Sequence, residues 1–99
     1  MTAPHLLGFS CANLYNSDMY YVYILQSRKN NSIYIGFSEN LKSRFHQHNN
    51  GTEKSTKSGV PWELIYYEAF KDKALALQRE KNLKYYGKAL GQLKRRIGL

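Results

Sequence analysis

Arg44, His48 and Glu80 are ionisable side chains that fall where the helical periodicity of this chain calls for apolar ones, and Lys84 ends the second stripe. In a helix predicted through Leu41, Arg44, Phe45 and His48, these residues stand at i, i+3, i+4 and i+7, so a guanidinium and an imidazole share the stripe that should face a core. In a second predicted helix, Ala76, Leu77, Glu80, Leu83 and Lys84 form a comparable stripe with a carboxylate at its centre. Burying such groups without partners is costly. Glu80 therefore demands a cation, either a nearby Lys or Arg or a metal ion. A salt bridge between Arg44 and Glu80, with His48 bonded to a backbone carbonyl, would satisfy all three with no chemistry at all. Tyr23 and Tyr34 likewise read as chemical phenols or as ordinary sheet aromatics. The single Cys11 excludes an internal disulfide and a thiolate metal centre, so any metal would be held by oxygen or imidazole.

The elements that must position these groups are legible from pattern. Tyr20 to Leu25 and Ile33 to Phe37 are rich in β-branched and aromatic residues and flank a polar connection, which predicts a hairpin. With a period of two, Tyr21 and Tyr23 share one face of the first strand, and Tyr34 and Gly36 share one face of the second, so two tyrosine-bearing faces can coincide. Ser38 or Asn40 can cap the helix through His48, which stops near Asn50-Gly51. Gly51 to Pro61 reads as a surface loop and Trp62 to Phe70 as a third strand. Lys71 to Tyr86 reads as a second helix with Gly87 as its stop, and Leu90, Leu93 and Ile97 mark the apolar edge of a short, basic terminal helix. The expectation is an α+β domain: a small three-stranded antiparallel sheet flanked by helices.

Ninety-nine residues suffice for one domain with a modest core. A hydrophobic fraction of 42% and nine tyrosines are too apolar and aromatic for a disordered chain. No apolar run approaches the roughly 20 residues of a membrane span, and the opening stretch does not read as a signal peptide, so a cytoplasmic protein is expected. Residues 1–18 carry one formal charge, Asp18, whereas the remainder holds all fifteen Lys and Arg against six acids. That shift predicts a loosely ordered leader over 1–18, upstream of a start at Met19, and a domain over 19–99. The formal charge of +8 favours a polyanionic partner. Nucleic acid is the first expectation, with ribosomal RNA or an acidic membrane as alternatives. His46 receives no role, and Lys81 and Lys84, with most other lysines, read as solvated surface.

Tyr21-Val22-Tyr23, followed eleven residues later by Tyr34-Ile35-Gly36, resembles the paired strand motifs of the GIY-YIG nucleases. The first motif departs from Gly-Ile-Tyr in the manner of short stand-alone bacterial members. Arg44, ten residues after Tyr34, and His48, four later, match the arginine and histidine of that family. Leu77 to Leu83 looks like the setting of its metal-binding glutamate, here Glu80. Phe37 stands where some relatives have a lysine. The resemblance spans residues 20 to about 86 and extends to the nuclease domain of the bacterial nucleotide-excision-repair endonuclease.

The resemblance implies a divalent-metal-dependent endonuclease that leaves a 5′ phosphate and a 3′ hydroxyl. Tyr34 is then the general base, and a phenol needs cationic neighbours or the metal to serve near neutrality. Tyr23 would orient the water or phenol, Arg44 would take the phosphate, and His48 would relay protons or hold Tyr34. Glu80 would anchor one Mg²⁺ or Mn²⁺. Lys54 and Lys57 in the loop and Lys94, Arg95 and Arg96 in the tail are candidate phosphate contacts. DNA is the expected substrate, cut by structure more than by sequence, with a role in repair and a recruiting protein partner both compatible. The alternative is a non-catalytic module that binds DNA or RNA on the same fold.

Overall fold

The computed structural model describes residues 19–99, and the predicted leader lies outside the described residues. The central strand is β1 (Tyr20–Ser27), with β2 (Ile33–Ser38) on one side and β3 (Trp62–Phe70) on the other, both antiparallel to it. The β1–β2 connection closes with Asn31 in the left-handed region at φ 63°. Asparagine tolerates that conformation better than most residues. The predicted hairpin and third strand are therefore present, and the fold is α+β.

Alternation along β1 divides the domain into two cores. Val22, Ile24 and Ile35 point to one face, where Ala76 and Leu83 of α2 (Lys73–Tyr85) and Leu93 of α3 (Gly87–Ile97) close over them. Tyr21, Tyr23 and Leu25 point to the other, against Leu41 of α1 (Leu41–Asn49) and Trp62. The strand is buried on both sides because each face has its own cover. Every side chain from Tyr21 to Leu25 is at most 1% exposed.

Local chemistry sets the helix ends. Asn40 caps α1, its side chain accepting from the Ser43 N–H, so of the two predicted caps it is asparagine that serves. Asp72 caps α2 by accepting from the Ala74 and Leu75 N–H groups, which moves the start of that helix from the predicted Lys71 to Lys73. Gly87 is not a simple stop: α2 ends at Tyr85, the chain turns through Tyr86, and Gly87 opens α3. Leu77, placed on the apolar stripe by periodicity, is 41% exposed, and only Ala76 and Leu83 of α2 are buried.

Segment 51–61 also departs from a plain surface loop. It contains a 3-10 turn, Lys57–Gly59, and folds back so that Thr56 and Gly59 are buried. Trp62 Nε1 donates to the Thr56 carbonyl at 2.8 Å, and Ser27 Oγ donates to the Gly59 carbonyl at 2.6 Å. These bonds fasten the loop over the tyrosine face of the sheet.

Candidate active site

Pairing register brings the two motif tyrosines together. Tyr23 lies opposite Gly36 and Leu25 opposite Tyr34, which makes Tyr23 and Tyr34 diagonal neighbours on one face. Their ring centroids are 6.3 Å apart. Gly36 has a steric reason to be glycine: a Cβ there would collide with Cζ and Oη of Tyr23, whose side chain lies directly across it.

His48 reaches this pair from α1 and is fully buried. Its ring is 4.8 Å from that of Tyr34 and 5.8 Å from that of Tyr23, centroid to centroid. Nε2 is 2.8 Å from the Tyr23 hydroxyl, and Nδ1 is 2.8 Å from Thr56 Oγ1. Burial, and then the nearby Arg44 charge, hold His48 below its ordinary pKa of 6.5, with Glu53 opposing, so the imidazole is neutral near pH 7. A neutral ring has one donor and one acceptor. Thr56 Oγ1 itself donates to the Glu53 carbonyl at 3.5 Å, which leaves its lone pair for Nδ1–H. We therefore assign a directional chain in which Tyr23 O–H donates to His48 Nε2, His48 Nδ1–H to Thr56 Oγ1, and Thr56 to the Glu53 carbonyl.

That chain separates the two phenols chemically. Tyr23 is pushed well above the ordinary phenol pKa, by burial first and then by Tyr34 and Glu80, against the lowering effect of Arg44. It is a fixed donor. Tyr34 is half-buried, and its hydroxyl has no hydrogen bond to any described residue, so it is free to meet a substrate.

Arg44 borders the same face with its side chain one-third exposed. Nη1 donates to Glu53 Oε2 at 3.0 Å and to Gln47 Oε1 at 3.0 Å. Burial opposes its charge, but Tyr23, Glu53 and Tyr34 together outweigh that and hold it fully protonated. Beside it lies an open groove of about 400 Å³ lined by Phe37, Ser38, Glu39, Asn40, Ser43, Arg44 and Gln47.

Glu80 comes from α2, the helix that covers the opposite core, and its charge nevertheless acts on Tyr23. Its carboxylate is one-fifth exposed and lies 3.1 Å from Lys84 Nζ, so a lysine supplies the cation that its position demands. The Arg44–Glu80 bridge considered from the sequence does not form, since Arg44 pairs with Glu53 and Glu80 with Lys84. Next to Glu80, Arg79 forks onto Glu68 of β3 with contacts of 2.9 and 2.8 Å, and Tyr66 donates to the same carboxylate at 2.6 Å. This bidentate clamp sets the rotation of α2 against the sheet.

Among the described residues no three His, Cys, Asp or Glu side chains gather as a chelating cluster. A lone carboxylate does not make a zinc-type site. It does suit a hard ion of the magnesium class, which keeps several waters and takes its remaining ligands from substrate oxygens.

The predicted phosphate contacts divide between layers. Lys54 and Lys57 are exposed on the loop that carries Glu53 and Thr56, beside the tyrosine face. Lys94, Arg95 and Arg96 lie on α3, which covers the other face, where the Arg96 charge acts on Glu68. Sequence reasoning missed Thr56 and Glu53. Neither has a periodic signature, because a loop and not a helix or strand presents their side chains to the site.

The sequence model of the GIY-YIG catalytic domain matches residues 19–92. Over 72 residues the chain is 38% identical to a UPF0213 protein of Staphylococcus saprophyticus, which is 72% of this chain and 87% of that one. It is 44% identical over 73 residues to a UPF0213 protein of Clostridium perfringens, 73% of each chain. A UPF0213 protein of Haloquadratum walsbyi is 34% identical over 71 residues, covering 71% of this chain and 79% of its own.

Proposed function

This chain belongs to the GIY-YIG catalytic-domain family, a nuclease family, and from that premise we propose that it is an endonuclease hydrolysing DNA phosphodiester bonds with a divalent metal ion. The observation that carries the reading is the meeting of Tyr23, Tyr34 and His48 on one sheet face with Arg44 at its border, within the field of Glu80. Tyr23, Tyr34, His48 and Arg44 come from three separate elements, and a purely structural role for each does not require them to share one surface.

In this reading Arg44 receives the scissile phosphate and stabilises the charge that grows on its oxygens. Tyr34, whose hydroxyl has no partner among the described residues, would act after giving up its own proton to solvent. The phenolate takes the proton of the attacking water, the new P–O bond forms as the P–O3′ bond breaks, and solvent water protonates the departing 3′ oxygen. Tyr23, held protonated by burial first and then by Tyr34 and Glu80, gives its one O–H to His48 Nε2, so it does not serve as base and orients the water by accepting a hydrogen bond from it on an oxygen lone pair. His48 keeps Tyr23 in place through Nε2 and packs its ring on Tyr34. Glu80 would hold a single Mg²⁺ or Mn²⁺, whose chemistry when bound is to neutralise charge on the phosphate. Substrate must compete with Glu53 for Arg44, and a metal ion would have to compete with Lys84 for Glu80.

Few elements remain free to enter a groove, which favours selection by substrate structure over base sequence, and DNA repair is a compatible setting. The test is a cleavage screen over flap, fork, nicked, single-stranded and RNA substrates with Mg²⁺, beside Glu80→Ala. Metal-dependent cuts with 5′ phosphate ends, absent in the variant, support the reading. If wild type and variant alike only retard the substrates in a gel, the non-catalytic binding module replaces it.

A further inference from the structure

The elbow between α2 and α3 displays two aromatic rings to solvent. Tyr85 is 72% exposed and Tyr86 58%. Neither side chain has a hydrogen bond, ion pair or ring contact with another described residue. The backbone beneath them is nonetheless held, because the Tyr86 N–H donates to the Asn82 carbonyl at 3.0 Å and the Tyr86 carbonyl accepts from the Ala89 N–H at 2.9 Å. A Cβ added at the adjacent Gly87 would meet nothing within 4 Å, so the space beside the rings is open.

Cations surround this pair. Lys81 and Lys84 lie four and one residues before Tyr85, and Lys81 shares its helical face; Lys88 follows in the first turn of α3. All three lysines are exposed. The stripe is continuous with the candidate active site, since Lys84 is the residue that touches Glu80. From Glu80 to Tyr85 the helix rises about 7.5 Å, roughly two base steps of a strand.

Exposed rings flanked by lysines match single-stranded nucleic acid, whose backbone is anionic and whose unpaired bases offer π-faces for stacking. A duplex presents only base edges and phosphates. Resting on the nuclease reading above, we propose that the Tyr85–Tyr86 elbow, with Lys81, Lys84 and Lys88, is a stacking platform for unpaired bases adjoining the scissile phosphate. The platform would give the enzyme its preference for substrates with a single-stranded arm.

Binding is measured by fluorescence anisotropy in EDTA at fixed salt, with a labelled oligothymidylate and a duplex of the same length. Tyr85→Ala/Tyr86→Ala should weaken single-strand binding about tenfold or more, while duplex binding changes by less than about twofold. Tyr85→Phe/Tyr86→Phe should bind as wild type does, because stacking needs the ring and not the hydroxyl. Both positions are exposed, and circular dichroism verifies that the variants are folded. Equal loss on both substrates, or no loss on the single strand, overturns the proposal. Wild-type protein that binds neither substrate overturns it together with the nuclease reading. Single-strand binding that behaves as expected in a protein that cuts nothing leaves the platform standing and removes only the catalysis.

Discussion

Replacing Thr56 by valine tests the buried chain that organises the site. Thr56 is 1% exposed and His48 0%, and the bond between Oγ1 and Nδ1 is 2.8 Å. Valine has nearly the same shape but no acceptor, so His48 would keep a ring nitrogen with no partner in a site closed to water. Leaving one buried polar group unsatisfied costs about 1–3 kcal/mol. For a domain of this size that lowers the melting temperature by roughly 5–20 °C. Tautomer exchange offers no escape, because Nδ1 lacks a partner whether it is protonated or bare. Thr56→Ser keeps the hydroxyl and should recover most of the loss. Thermal unfolding followed by circular dichroism measures the effect, and a double-mutant cycle with His48→Phe isolates the pair, with an expected coupling of about 0.5–3 kcal/mol. Imidazole ¹⁵N shifts should identify Nδ1 as the protonated nitrogen. The chain is refuted if Thr56→Val melts with wild type, if the two substitutions add without coupling, or if the proton resides on Nε2.

Glu80→Gln should lower cleavage by a factor on the order of a hundred to a thousand while stability moves by less than about 0.5 kcal/mol, since only a partly exposed i,i+4 pair is lost; equal rates in steady-state cleavage assays would remove Glu80 from the chemistry. Gly36→Ala should destabilise by about 1–3 kcal/mol through overpacking and displace the Tyr23 hydroxyl from His48; unchanged melting would contradict the close approach of Tyr23. Because the folded protein holds His48 below 6.5, the unfolded chain binds the extra proton first. The stability His48 contributes is thus complete above pH 6.5 and declines as pH falls from there through its folded pKa; urea titrations across that window should show the decline in wild type and a shallower one in His48→Gln. Glu53→Gln frees Arg44 and should tighten substrate binding severalfold at little cost in stability, the bridge being about one-third exposed; weaker binding in an anisotropy titration would show that Glu53 orients Arg44 for its phosphate.

Period and spacing were sufficient to read the elements and the family. Two-residue alternation in Tyr20 to Leu25 and Ile33 to Phe37 encodes strands whatever else the chain does, and Arg44 and His48 stand out because a helical stripe cannot bury them unpartnered. Those are local properties, so the sequence alone determined an α+β domain and a short set of polar side chains in need of partners. Who partners whom is not local. Arg44 finds Glu53 instead of Glu80, and His48 finds Thr56 and Tyr23 instead of a carbonyl, because a loop with no periodic pattern is drawn over the sheet by Trp62 and Ser27. Likewise, Leu77 lies on the stripe by count yet faces solvent, since the rotation of α2 follows the Arg79–Glu68 clamp and the packing of Ala76 and Leu83. Tertiary structure decided these matters because hydrogen bonds and ion pairs depend on the distance between elements, which no spacing along the chain encodes.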